Sequence, residues 1–154
     1  MSESWQEEIK ILLRQSKISF LATQGKYGPE TSMAPFAIHE GNILLHLSKL
    51  AAHTMNIENS AAIGLMICTP ETEADSPLAL PRLSLQGEAS PVTEDGLEAA
   101  KAAYLSAIPY AESLFGFGDF RLFKFKPESI HWVGGFGRAR KVTQGQWYNI
   151  TLAP

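Results

Sequence analysis

Apolar residues along this chain follow two different rhythms. Trp5, Ile9, Leu12 and Leu13 fall at the spacing of a helix with one apolar stripe. Ser4-Trp5-Gln6-Glu7 has the Ser-to-Glu spacing of a capping box, so the pattern predicts an amphipathic helix over residues 5–15. From Ile18 the rhythm shortens and predicts a strand over 18–23. Gln24-Gly25-Lys26-Tyr27-Gly28-Pro29 is turn chemistry. A second strand is expected over 31–38, with Pro35 marking an edge or a bulge because proline cannot donate to the ladder.

His39-Glu40-Gly41-Asn42 reads as a hairpin turn into a strand over 43–47. A short helix over 51–59 follows, capped by Ser48 or a residue just after it. Residues 61–68 are the most apolar run and predict a central strand, while residues 69–81, rich in proline and acids, read as a surface loop. Over 82–89 the alternation is clean: Leu83 and Leu85 take one face, and Arg82, Ser84, Gln86 and Glu88 the other. Thr93 is expected to cap an alanine-rich helix over 94–107, which Pro109 ends. Residues 110–115 read as another helical turn, and strands over 120–125 and 129–133 complete the pattern. Seven strands with short connections favour antiparallel pairing. The fold class is therefore α+β, a small antiparallel barrel with flanking helices. The missing β-α-β alternation argues against a doubly wound dinucleotide fold.

Composition narrows the function. The 154 residues suit one domain, 1–154, with a helix in 1–16 and a tail over 140–154. Apolar content of 45% supplies a core, and a net charge of −3 without a basic block excludes a nucleic-acid partner. The single Cys68 permits no internal disulfide or ordinary zinc site and reads as a buried inert thiol. The acidic N-terminus has no signal core, and no apolar run approaches the ~18 residues of a membrane span. A cytoplasmic protein with no membrane partner is expected.

Four segments carry candidate chemistry. Val133-Gly134-Gly135-Phe136-Gly137-Arg138-Ala139 ends a strand with three glycines around one aromatic, either as a turn or as a loop that lets a ligand approach the backbone. Ser48, Lys49, His53 and Thr54 surround a helix start, where free N–H groups favour an anion such as phosphate; an ordinary cap with a solvated lysine is the alternative. Arg82 and Gln86 share a strand face that either lines a pocket or faces water. Asp119, within Phe115-Gly116-Phe117-Gly118-Asp119-Phe120-Arg121, either orients a histidine or arginine or caps a turn. Of the four histidines, His39 sits in a turn, His46 and His131 read as satisfied structural residues, and no pair has metal-ligand spacing. No nucleophile elbow or P-loop is present, which argues against a hydrolase.

Taken in order, Ser48-Lys49-Leu50-Ala51-Ala52-His53-Thr54-Met55-Asn56, residues 77–87, Phe117-Gly118-Asp119-Phe120-Arg121-Leu122 and Val133 to Ala139 resemble the split-barrel proteins of the pyridoxamine-phosphate-oxidase-like superfamily, and more closely its HugZ-like haem-utilisation branch. The resemblance spans Ile18 to Ala139. It implies a six- to seven-stranded split barrel of the FMN-binding type and a homodimer with two interfacial sites. In flavin-binding members it implies FMN phosphate at Ser48, His53 and Thr54, and the ring along Met33, Ala34 and Pro35. Those members often carry Arg and Lys where this chain has His53 and Thr54, so its phosphate site holds less fixed charge. In haem-degrading members the resemblance implies a histidine ligand in a C-terminal extension, oriented by the aspartate matching Asp119, with Arg82 near the haem. No histidine follows Ala139 here; Tyr148 and His131 are the substitutes.

The resemblance thus implies an FMN-dependent oxidoreductase with the cofactor at the dimer interface, using Ser48, Lys49, His53, Thr54, Met33, Ala34, Pro35, Arg82, Gln86, Asp119, Gly134, Gly135 and Phe136. The alternatives are a haem-binding or haem-degrading protein and a non-enzymatic dimer. Beyond Arg138, Arg140 and Lys141 no basic set matches a pyridoxamine phosphate site. Arg140 and Lys141 read as an exposed basic tail, or as a lid over the pocket.

Overall fold

The computed structural model describes residues 4–73, 76–135 and 137–152. The chain runs α1 (Ser4–Gln15), β1 (Ile18–Gly25), β2 (Gly28–His39), β3 (Asn42–Ser48), α2 (Ala52–Asn59), β4 (Ala62–Cys68), β5 (Arg82–Pro91), α3 (Glu94–Ala107), α4 (Glu112–Phe115), β6 (Phe120–Val133), β7 (Ala139–Val142) and α5 (Gln144–Leu152). The strands pair in the order β3-β2-β1-β4-β5-β6-β7, and β3 also pairs with β6. Six strands therefore close an antiparallel barrel and β7 extends the sheet past β6. The expected α+β split barrel is the fold observed.

Strand alternation fills the barrel. Leu21, Ile63, Leu65, Ile67, Leu83 and Leu85 point inward and are at most 5% exposed. Burying each such side chain contributes about 1.5–3 kcal/mol. Ile9 and Leu12 of α1 and Trp147 and Ile150 of α5 join the same core. The Trp147 indole N–H donates to the Gly41 carbonyl at 2.8 Å, fastening α5 to the β2–β3 turn. Residues 140–152 are thus not a loose tail, although Arg140 and Lys141 on β7 are exposed as expected. Val142, Trp147 and Ile150 bury at strand and helix spacing, and Arg140 lies 4.2 Å over the Trp5 ring rather than over a pocket.

Across β3 the barrel has a roof. Every residue of β3 from Ile43 to Leu47 is buried, because α3 and α4 cover its outer side. Ala37, Leu44 and Leu122 lie under Ala100, Tyr104 and Ala111, with Phe115 packed alongside. His46 is enclosed there, stacked on Phe115 at 3.9 Å with Tyr104 and Phe120 5.6 and 5.2 Å away. It is structural as expected but not satisfied: its Nδ1 has no hydrogen-bond partner. Burial lowers its pKa from 6.5 to about 4 and pushes Tyr104 up to about 12.

Several local expectations change. Residues 120–133 form one strand, not two. Pro127 is accommodated where the register against β5 shifts between Gln86 and Gly87, leaving Glu128 as the extra residue of a bulge. A Cβ at Gly87 would overlap the Lys126 carbonyl, so only glycine permits this approach. Pro35 does mark an edge: β2 pairs with β1 from Gly28 to Pro35 and with β3 only from Phe36 onward, so Pro35 is the last residue before the partner changes. Ser48 does not cap α2. Ala51 is its N-cap, and neither it nor Thr93 makes a side-chain cap bond. Helix α1 begins at Ser4, so the residue preceding it lies outside the described ones. Residues 69–81 hold a short 3-10 turn, Pro77–Ala79. Among the described residues no helix is long and apolar enough to cross a membrane.

Candidate functional site

Where β3 leaves β2, the chain turns into α2, and a polar network fixes that turn. Ser48 Oγ accepts the Leu50 N–H at 3.1 Å. The Lys49 N–H donates to the Asp119 carbonyl at 2.5 Å. Asn56 donates to Thr23 Oγ1 and Glu30 Oε1 at 3.0 and 2.7 Å, and His53 Nδ1 lies 2.9 Å from Ser32 Oγ. The fold thus brings Ser48, Lys49, His53 and Asp119 together, with Ser32 of β2 against His53. It also corrects part of the expected phosphate site. Thr54 is fully buried, and its hydroxyl donates to the Ser48 carbonyl at 2.5 Å, so it cannot touch a ligand. Asp119 enters through its main chain. Burial lowers the His53 pKa, which favours the neutral ring. Lys49 is the exposed cation of this group.

The outer wall of the barrel carries a different feature. Strand register aligns Met33, Phe20, Met66, Ser84, His131 and Lys141 in one row across β2, β1, β4, β5, β6 and β7. All six are exposed, and the three apolar members are exposed by 52, 51 and 37%. Such side chains outside a closed barrel contribute nothing to its core. Ile18 (44% exposed) and Pro35 flank the row. Ala34 does not join it: its side chain points into the core at 2% exposure, and its carbonyl accepts the Ser19 hydroxyl at 2.8 Å. Gln86 lines an adjoining cavity of about 400 Å³, opened by the small side chains of Ala22, Gly64 and Gly87.

Arg82 and the glycine loop stand at the opposite end of β6 from Asp119. The half-buried Arg82 donates from Nη1 to the Leu80 and Leu78 carbonyls at 2.8 and 3.3 Å, holding the loop before β5. Gly134 and Arg138 form a tight turn from β6 to β7, with Gly134 N–H to Arg138 carbonyl at 2.9 Å and Arg138 N–H to Gly135 carbonyl at 3.2 Å. The Arg138 side chain reaches Glu8 of α1 at 2.6 Å. A Cβ at Gly134 would meet Arg138 Nη2 at 2.5 Å, and Gly135 has φ +137°. The turn reading accounts for these glycines. Phe136 lies outside the described residues.

The expected site residues therefore form two groups at opposite ends of the fourteen-residue β6, with Gln86 between them. The open apolar row runs between strands bearing both groups. Its members Phe20 and Met66 are not among the expected site residues, and His131 is expected only as one of two substitute haem ligands. The signal for them is apolar residues at both parities of β1 and β4: Phe20 beside Leu21, and Met66 between Leu65 and Ile67.

Comparison with known proteins places this geometry. A family model described as "CREG, beta-barrel" matches residues 19–149. The haem oxygenase HutZ of Vibrio cholerae is 31% identical over 140 residues, covering 88% of this chain and 80% of that protein. A structure of a haem-binding protein from Mycobacterium smegmatis superposes with a TM-score of 0.84 at 30% identity, covering 94% of this chain; this chain spans only 60% of that one. A Clostridium acetobutylicum protein of the pyridoxinephosphate oxidase family shares the fold, at TM-score 0.71 and 16% identity, over 96% of this chain and all of that one.

Proposed function

The chain belongs to the CREG beta-barrel family, and from that premise we propose that it binds haem as a homodimer, on the open outer face of β1, β2, β4 and β5. The carrying observation is the exposed row in which Met33, Phe20 and Met66 lead through Ser84 to His131 and Lys141. The donor set suits the group. The apolar half offers a flat surface for a porphyrin, the exposed His131 imidazole is a suitable axial ligand, and Lys141 is placed to meet a propionate. Of the two substitute ligands, the row favours His131. Tyr148 sits on α5 against the Gly41 turn and is not in the row. Bound haem would supply a redox-active iron. The protein's part is to hold it, exclude water and set the ligand. The names of the Vibrio and Mycobacterium relatives support the same reading.

A second copy of the chain would cover the apolar row. FMN is the second reading, favoured by the shared oxidase-family fold and the Ser48–His53 turn. It ranks lower because Thr54 is buried and His53 is biased to neutrality.

Parallel absorption titrations with haemin and with FMN test the proposal. The expected result is saturable haemin binding, one per chain, with a defined Soret band that shifts or weakens in His131→Ala. Stoichiometric FMN binding without haemin binding would replace this reading with the flavin one. An unchanged Soret band in His131→Ala would remove the ligand assignment.

A further inference from the structure

A second cavity, of about 410 Å³, opens between α1, β2, α3 and α5. None of its lining residues belongs to the haem face proposed above. Phe36, Ala37 and Ile38 form its floor, and Ala103 and Ala107 of α3 leave the space along one wall. Its rim carries Lys10, Arg14 and Lys17, and no carboxylate among the described residues lines it. Lys10 is partly answered by Glu7 at 3.2 Å. Arg14 and Lys17 are exposed, and their side chains make no ion pair or hydrogen bond with any described residue.

Clustering these cations has a cost. Lys10 and Arg14 are like charges at i, i+4, an arrangement that destabilises a helix by about 0.2–0.5 kcal/mol. On a chain of net charge −3, this local reversal of sign sits directly above an apolar floor. Charge and surface type thus specify the same visitor. We propose that this cavity binds an anionic amphiphile, with a carboxylate or phosphate head against Arg14 and Lys17 and an apolar body over Ile38, Ala103 and Ala107. The volume falls within the range of small-molecule sites, roughly 300–1,000 Å³. This inference stands independently of the haem reading.

Calorimetric titration of the full chain with dodecanoate, below its micelle concentration, is the test. Dodecyl phosphate, dodecanol and inorganic phosphate serve as parallel probes. We expect one saturable dodecanoate site per chain, and at least tenfold weaker binding of the alcohol and of phosphate alone. Whichever charged amphiphile binds tighter identifies the head class. Arg14→Glu with Lys17→Glu, both at exposed positions, should weaken dodecanoate about ten- to thirtyfold. Ala107→Trp, which fills the cavity, should abolish binding; if it does not fold, the charge-reversal pair still decides. Absence of saturable binding, equal binding of dodecanol, equal binding of inorganic phosphate, or indifference to the charge reversal would each overturn the proposal.

Discussion

The outside of this barrel carries apolar surface in two regions, and the chain treats them in opposite ways. Over β3, Leu44, Leu122 and His46 are sealed beneath Tyr104 and Phe115 of α3 and α4. Over β1, β2 and β4, Phe20, Met33 and Met66 are left a third to a half exposed. Both lie on outward-facing strand positions, so alternation alone does not separate them. The difference is what comes next in the chain. Helix α3 has the length and the aromatic to roof one region, and no described segment crosses the other. An apolar surface left open is a place for another molecule, whereas a roofed one contributes to folding.

That contrast can be broken by experiment. Tyr104→Ala opens the roof and should cost about 3–5 kcal/mol in urea denaturation, the range for truncating a buried large aromatic. A loss below 1 kcal/mol would mean the roof adds little to the fold. The next effect is one of pH. The folded His46 pKa, near 4, lies below its ordinary 6.5, so below pH 6.5 the unfolded chain binds the proton more tightly. Stability is then complete above pH 6.5 and falls as the pH drops toward 4, by on the order of 3 kcal/mol. His46→Leu should flatten that slope in denaturation series run from pH 7 to 4; an unaltered slope would place the acid sensitivity elsewhere.

The open region should behave in the opposite sense. Phe20→Ser with Met66→Ser should shift monomer stability by within about 1 kcal/mol, because little buried area is lost. The same double variant should move the sedimentation coefficient from that of the proposed homodimer to that of a monomer, with the far-UV circular dichroism retained. A dimer that survives would show that this face is not the interface. The smallest expected effect returns to the roof. Lys101 stands 5.1 Å over the Phe115 ring, and Lys101→Ala should cost about 0.5 kcal/mol by thermal melting. A loss several times larger would show that this cation holds α4 in place.

Local rules read correctly where one element answered to its own residues. The apolar spacing of Trp5, Ile9 and Leu12 foretold α1, and alanine content with Pro109 foretold α3. They failed where a distant strand decided. Residues 120–133 read as two strands, whereas Gly87, forty residues before Pro127, lets β5 pair across the bulge at Glu128 and keep them one. Thr54 looked like a phosphate ligand because hydroxyls cluster at helix starts, yet the turn from β3 presses it against the Ser48 carbonyl. The glycines after Val133 were legible as a special loop, but the ion pair with Glu8 of α1 that draws the Arg138 side chain across Gly134 is a tertiary contact.

The sequence by itself determined the strand and helix rhythm, the antiparallel barrel and the superfamily, because each rests on short-range spacing and side-chain type. Which outward residues stay open, and that His131 shares a row with Phe20, Met33 and Met66, was decided only by the closed sheet. Residues far apart in the chain, such as Ser84 and His131 or Ile43 and Phe125, become neighbours there through register, and register is set by the pairing of whole strands.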